Sequence, residues 1–165
     1  IMAMLLHLKP QDFIAQNLSM LQLLLLRILA SFCGVFGFSL MFNSTVSMAV
    51  TAAFIGAIAN TLRLELVSFT SIPPAVAAFI GALTSGLLAS IIKQSHGYPR
   101  ISLTVPSIVI MVPGLYLYRA IYNFGIMSLT DAVSWFTSAI LIIISLPFGL
   151  IFARILTDRT FRYCT

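Results

Sequence analysis

The sequence has 165 residues, of which 60% are hydrophobic and 8% charged, and a formal net charge of +5. A soluble domain is roughly 45–50% apolar and about 25% charged. Nine basic and four acidic side chains cannot cover a water-facing surface, and a soluble protein is excluded. A nucleic-acid partner is excluded too, because Lys and Arg stand at the ends of apolar runs, where lipid headgroups and interfacial water hold them.

An amphipathic lead-in, Met4 to Ser19 with His7, Lys9 and Asp12, comes first. The chain divides into this lead-in (1–20), a single transmembrane helical domain (21–154) and a basic cytoplasmic tail (155–165). Five apolar runs follow the lead-in, at 21–42, 46–63, 73–92, 101–122 and 132–153, each near the roughly 20 residues that carry a helix across a bilayer. Open strands would leave backbone groups unpaired in lipid, so the expected fold is an all-α integral membrane protein with five transmembrane helices. Run one is too long for a secretory signal peptide and no small-residue cleavage site ends it; the chain opens on Ile1 rather than Met, which leaves its true start open. The third joint and the tail hold Lys93, Arg100, Arg154, Arg159 and Arg162, against Lys9, Arg63 and Arg119 on the other side, with Arg27 in the first turns of run one narrowing the difference. That bias places the tail in the cytoplasm and the N-terminus outside.

Run two carries small residues at helical spacing (Ala49, Ala53, Ala57 and Ala52, Gly56, Asn60), and run three carries two such ladders (Ala78, Ala82, Gly86, Ser90 and Ala77, Gly81, Ser85, Ala89). Small residues let helix backbones approach, so runs two and three are expected to form the tightly packed middle. Pro73 and Pro74 suit the start of run three, where missing N–H groups cost least.

Run four is built to break. Pro106 and Pro113, seven residues apart on nearly one face, withdraw the donors that the Ser102 and Val109 carbonyls would receive, and Gly114 loosens the backbone directly after. The interruption is expected at Pro113-Gly114, near mid-span. A half-helix N-terminus at that depth presents N–H groups and a positive dipole end, which suit a carboxylate. Helical side chains lean toward the N-terminus, so Arg119 leans back toward the break, and Tyr116, Arg119 and Asn123 share one stripe. The competing reading is a kinked packing helix in which Arg119 snorkels to the interface beside Tyr118 and Tyr122.

No enzyme is indicated. The acidic residues are Asp12, Glu65, Asp131 and Asp158, all at or beyond span ends, and no His, Cys or Ser constellation has catalytic spacing. His7 and His96 are lone joint residues, and Cys33 and Cys164 support neither a disulfide framework nor a metal site, so no cofactor is called for. Proton coupling has Glu65 as its nearest candidate. A channel lacks a filter sequence. A non-transporting scaffold that stabilises a partner is the alternative to a transporter, although it has no need of a mid-span break beside a tyrosine and an arginine.

The stretches "VPSIVIMVPGLYLYRA" (105–120), "FGFSLMFN" (36–43) and "GAIANTLRLE" (56–65) resemble the small-subunit type of the threonine/serine exporter (ThrE) family, over about Gly37 to Arg154. The most specific element is Pro-x6-Pro-Gly-x3-Tyr-Arg, met by Pro106, Pro113, Gly114, Tyr118 and Arg119; the arginine closing the second block falls on Arg63. Asn60 departs from the Gly or His of some relatives. The resemblance implies a multi-pass subunit in the bacterial inner membrane that exports threonine, serine or a dicarboxylate such as succinate with a larger membrane subunit of the same family. It points to Arg119, Gly114, Tyr116, Tyr118, Arg63 and Asn60 as substrate-binding candidates. An odd number of spans supports a partner independently, because two equal inverted halves cannot be folded from five helices; homo-oligomers are expected as well. Reporter fusions at Thr165 and near His7 should read out on opposite sides of the membrane, and a shared side would refute the five-span topology, with the short run two the first suspect.

Overall fold

The computed structural model describes residues 19–158 and, for 93–96, the backbone alone. The lead-in before Ser19, the tail from Arg159 onward and the side chains of Lys93 and His96 lie outside the described residues. Six α-helices build five candidate spans: α1 (Met20–Met41), α2 (Val46–Phe69), α3 (Pro74–His96), α4 (Arg100–Val109), α5 (Gly114–Gly125) and α6 (Leu129–Thr157). The spans alternate in direction, so the starts of α1, α3 and α6 and the ends of α2 and α5 share one end of the bundle, here the N side; the opposite end is the C side.

Each boundary has a local cause. Ser19 and Gln22 form a capping box at the start of α1, each side chain meeting the other's backbone N–H. The same helix ends in a left-handed Asn43 (φ 59°), with Asn43 N–H bonded to Leu40 O and Ser44 N–H to Ser39 O. This is the Schellman closure, and Asn tolerates the conformation it needs. A matching closure ends α5, where Met127 (φ 61°) donates to Phe124 O and Ser128 to Asn123 O. The Pro73 carbonyl starts α3 by accepting from Val76 and Ala77.

The fourth span is interrupted where the sequence places the break, with 10 residues of helix before it and 12 after. Pro106 does not interrupt: α4 runs through it, and the two prolines act differently from the joint role expected of them. A single absent N–H costs one intrahelical bond, and around Pro106 the buried Ser107 hydroxyl donates to Leu103 O and to Ala52 O of α2, fastening the chain where it is weakest. At Pro113 no such fastening follows. The chain closes instead through tight turns, Met111 N–H to Ile108 O, Val112 N–H to Val109 O, and an inverse γ-turn on Pro113 (φ −80°, ψ 53°) with Gly114 N–H bonded to Val112 O at 2.8 Å.

The break also changes neighbours. On the C side α4 packs against α1, α2 and α3, whereas on the N side α5 packs principally on α6.

The two small-residue ladders of α3 serve two partners. As expected from sequence, α2 and α3 are the most buried of the spans, and the closest neighbour of α3 is α6. A Cβ on Gly149 would stand 2.6 Å from Phe79 O and 2.8 Å from Ala82 Cβ, and one on Gly86 would stand 2.5 Å from Ala153 Cβ. The other ladder turns Gly81 to α2, where Ala59 O and Arg63 Cβ are each 3.2 Å from its absent Cβ. Runs two and five are longer than their apolar cores, reaching Phe69 and starting at Leu129, because the polar residues at their ends are helical and paired. The faces left over, such as Leu25, Leu29, Ile140, Phe148 and Phe152, are exposed apolar surface suited to lipid.

Two outcomes follow for the purified chain unfolded by SDS titration in mixed micelles. Gly149→Leu should lose about 1–3 kcal/mol or fail to fold, because the clash is with backbone, while Gly37→Leu, with open space around it, should be neutral. Met127→Gly should gain about 1 kcal/mol by relieving the left-handed conformation, since Met127 is 83% exposed and forfeits little packing.

Candidate functional site

In the N-side half of the bundle two guanidinium groups, Arg63 and Arg119, belong to helices α2 and α5, the second of which follows the break. In α2, Arg63 Nε donates to Asn60 Oδ1 (3.1 Å) and Asn60 Nδ2 donates to Ser31 Oγ of α1 (2.8 Å). An arginine Nε can only donate, so it fixes the Asn60 amide with its oxygen toward Arg63 and its nitrogen toward Ser31. Asn60 is buried and Arg63 half-buried. Among the described residues Asn60 is the acceptor Arg63 has, and its Nη nitrogens have none.

The base of Arg63 lies at the level of the break: Arg63 Cβ and Met111 Sδ are both 3.2 Å from the point a Gly81 Cβ would occupy. Tyr116, in the first turn of α5, packs against the buried cluster that includes Ala59, Met111 and Ile142, and lies within electrostatic reach of Arg63. Its ring meets Trp135 of α6 edge-on, with centroids 5.5 Å apart. The Arg119 guanidinium sits over the same indole, its Cζ 4.7 Å from the ring centroid, a cation–π contact worth more out of water than in it. Tyr116 thus stands between two guanidinium groups, Arg63 on the α2 side and Arg119 on the α6 side. In the first turn of α5 the N–H groups of Leu115 and Tyr116 have no acceptor in their own helix, as helix geometry requires.

Of the residues expected from sequence, Arg63 is bonded to Asn60 and within electrostatic reach of Tyr116, Tyr116 and Arg119 meet at Trp135, and Asn123 is half-buried further along α5. Pro106 is buried in α4 on the C side of the break, among the α2 and α4 residues. Tyr118 does not join: it is exposed on another face of α5. Gly114 is exposed with nothing within 4 Å of where a Cβ would stand, so no neighbour demands a glycine there. Ser31 and Trp135 belong to the constellation and were not singled out from sequence. Ser31 lies one turn from Arg27 on the same stripe of α1, and Trp135 is the only tryptophan in the chain, so both carried a signal.

A second polar group sits nearer the N side. Arg27 Nη1 pairs with Glu65 Oε1 at 2.7 Å and Nη2 donates to Ser68 Oγ at 2.9 Å, joining α1 to α2. On the C side Arg100, the first residue of α4, donates to Gly86 O and Thr157 Oγ1 and ties α4 to α3 and α6. Among the described residues no three His, Cys, Asp or Glu side chains cluster as metal ligands. A shallow groove of about 340 Å³ between α3 and α6, lined by Ala75, Val76, Phe79, Ile144, Ser145 and Phe148, is apolar apart from one hydroxyl and has no charged group.

Among the described residues, five stretches of helix long and apolar enough to cross a membrane, the fourth interrupted, mark a multi-pass membrane protein. Residues 27–156 match the family described as Threonine/Serine exporter, ThrE, and the chain belongs to that family. No curated protein and no solved structure matches it.

Proposed function

We propose that the chain is one subunit of an inner-membrane exporter of small carboxylate-bearing metabolites, threonine and serine or a dicarboxylate such as succinate, and that it works with a larger membrane subunit of the same family. The observation that carries this reading is the placement of Arg63 and Arg119 on either side of Tyr116 at the start of a half-helix. An arginine within a span costs about 2.5–3.5 kcal/mol at the centre of the bilayer and less toward its edge. Arg27 is compensated by Glu65; among the described residues the acceptor that Arg63 has is the neutral Asn60. A carboxylate ligand supplies the missing charge, and a guanidinium grips it through two parallel hydrogen bonds. The first-turn N–H groups of α5 add donors with the favourable end of the helix dipole. Trp135 holds Arg119 against the α6 wall without removing its charge. Ser31 and Asn60 hold Arg63 in one orientation, which lowers the ordering cost of binding.

Trp135 is the sole tryptophan and stands in the site, so its emission reports occupancy. Titration of the purified chain with succinate or L-threonine should give a saturable change, and Arg63→Ala or Arg119→Ala should weaken it by about 10- to 100-fold, the scale of a lost charge-assisted hydrogen bond. In vesicles, export should require the larger subunit and fall with the same variants when counted per assembled complex. Normal export by Arg119→Ala would reduce that residue to an interfacial anchor. Normal export by both variants would leave the chain a scaffold.

A further inference from the structure

Arg27, Glu65 and Ser68 form a group that the proposed binding of a carboxylate does not use. Among the described residues the carboxylates are Glu65, Asp131 and Asp158. Asp131 is in the first turn of α6, accepting from Ser128 Oγ, and Asp158 follows α6 on the C side, 3.9 Å from Arg154. Glu65 and Asp131 are the carboxylates of the N-side half; Asp131 is exposed in the first turn of α6, whereas Glu65 lies two residues further along α2 from Arg63. Residues two apart point to different faces of a helix, so the two side chains do not meet. They are nevertheless separated by only about 3 Å of helix rise, and in a span little water screens one from the other. An unpaired Glu65 would therefore oppose any anion arriving at Arg63 by its field alone.

The structure assigns Arg27 the task of preventing this. We propose that Arg27 is a positioning residue for the carboxylate site: by pairing with Glu65 it cancels the negative charge beside Arg63 and keeps Arg63 available to an anionic ligand. The inference rests on the reading of Arg63 as a carboxylate-binding group. Three observations support it. The guanidinium is committed at both ends, to Glu65 Oε1 and to Ser68 Oγ, so it is held on the carboxylate rather than left to reach the ligand. The side chains of the pair are 23% and 21% exposed, so the charges are largely withdrawn from solvent. Arg27 also lies one turn from Ser31 on the same face of α1, and that turn separates the Arg27–Glu65–Ser68 group from the Ser31–Asn60–Arg63 group. Helix α1 thus serves Arg63 twice, once by orienting Asn60 and once by neutralising Glu65.

The competing explanation is a simple staple holding α1 on α2, and a double-variant cycle separates the two. The full chain in lipid nanodiscs is titrated with succinate and with L-threonine by Trp135 emission, and its stability is followed in parallel. Arg27→Met should raise the apparent Kd by about 10- to 30-fold, the scale of one uncompensated charge about 8 Å away in an effective dielectric of about 20. Arg27→Lys should stay within about threefold of the parent, since a point charge also neutralises Glu65. The decisive variant is Arg27→Met with Glu65→Gln, which removes both charges and should restore the Kd to within about threefold while still lacking the interhelical ion pair. In vesicles with the larger subunit, Arg27→Met should raise KM and leave kcat near the parent value. If the double variant binds as weakly as Arg27→Met, or if Arg27→Met binds like the parent, the positioning role is overturned. If Arg63→Ala leaves the titration unchanged, the reading of Arg63 itself fails and the role of Arg27 fails with it. A variant too unstable to titrate is replaced by Arg27→Gln, which keeps the donor to Ser68 and removes the charge; unchanged affinity there also overturns the proposal.

Discussion

In the hydrocarbon of a bilayer there is no water to complete an unfinished backbone hydrogen bond, and each group left open costs several kcal/mol. At the break the N–H groups of Met111, Val112 and Gly114 meet that constraint without a helix, through short turns to Ile108, Val109 and Val112. Much of the architecture depends on this closure, because it lets the fourth span change direction at mid-depth. Before the break α4 lies in the groove made by α1, α2 and α3; after it α5 leans on α6. The half-span after the break therefore rests on a different neighbour from the half before it, with Arg119 on the α6 side and Arg63 on the α2 side.

Charge placement follows the same economy. Arg100 on the C side is met by a carbonyl and a hydroxyl, Arg27 by a carboxylate and a hydroxyl, and Arg119 by an indole face. Among the described residues Arg63 is met by an amide oxygen. In a low-dielectric setting that difference singles out Arg63 as the group with most to gain from an anion. Its support is arranged through α2 and α1 before any ligand arrives, with Ser31 fixing Asn60 and Asn60 fixing Arg63.

The spans, their helical nature and the position of the break were legible in the sequence, since hydropathy, run length and a Pro-Gly pair are local properties. Partner choice was not. The ladder from Ala78 to Ser90 announces a close neighbour without naming it, and its contact with Gly149 and Ala153 of α6 joins segments far apart in the chain. Pro113 is followed by Gly114 and Pro106 by Ser107, and the Ser107 hydroxyl reaching across to α2 shows how the helix is fastened at the first proline while the second breaks it. Arg63, Asn60, Tyr116 and Arg119 were named from sequence because charged and polar side chains are conspicuous in apolar runs. Ser31 and Trp135 carry a faint signal in sequence, a place one turn from Arg27 and a single indole, and acquire meaning beside Asn60 and Arg119.

The length of α6 has a consequence for the site it supports. Its 29 residues extend about 43 Å, well beyond a hydrocarbon layer about 30 Å thick, so the helix leans or protrudes by an amount the surrounding lipid sets. Because α5 rests on α6, the lean is passed to the Arg119 guanidinium and to the Tyr116 ring beside it. Gly149 and Gly86 seat α6 on α3 at close range, so α3 takes part in the same lean. Any lean of α6 is therefore shared by α3 and α5, which ties the half-helix after the break to the longest helix among the described residues.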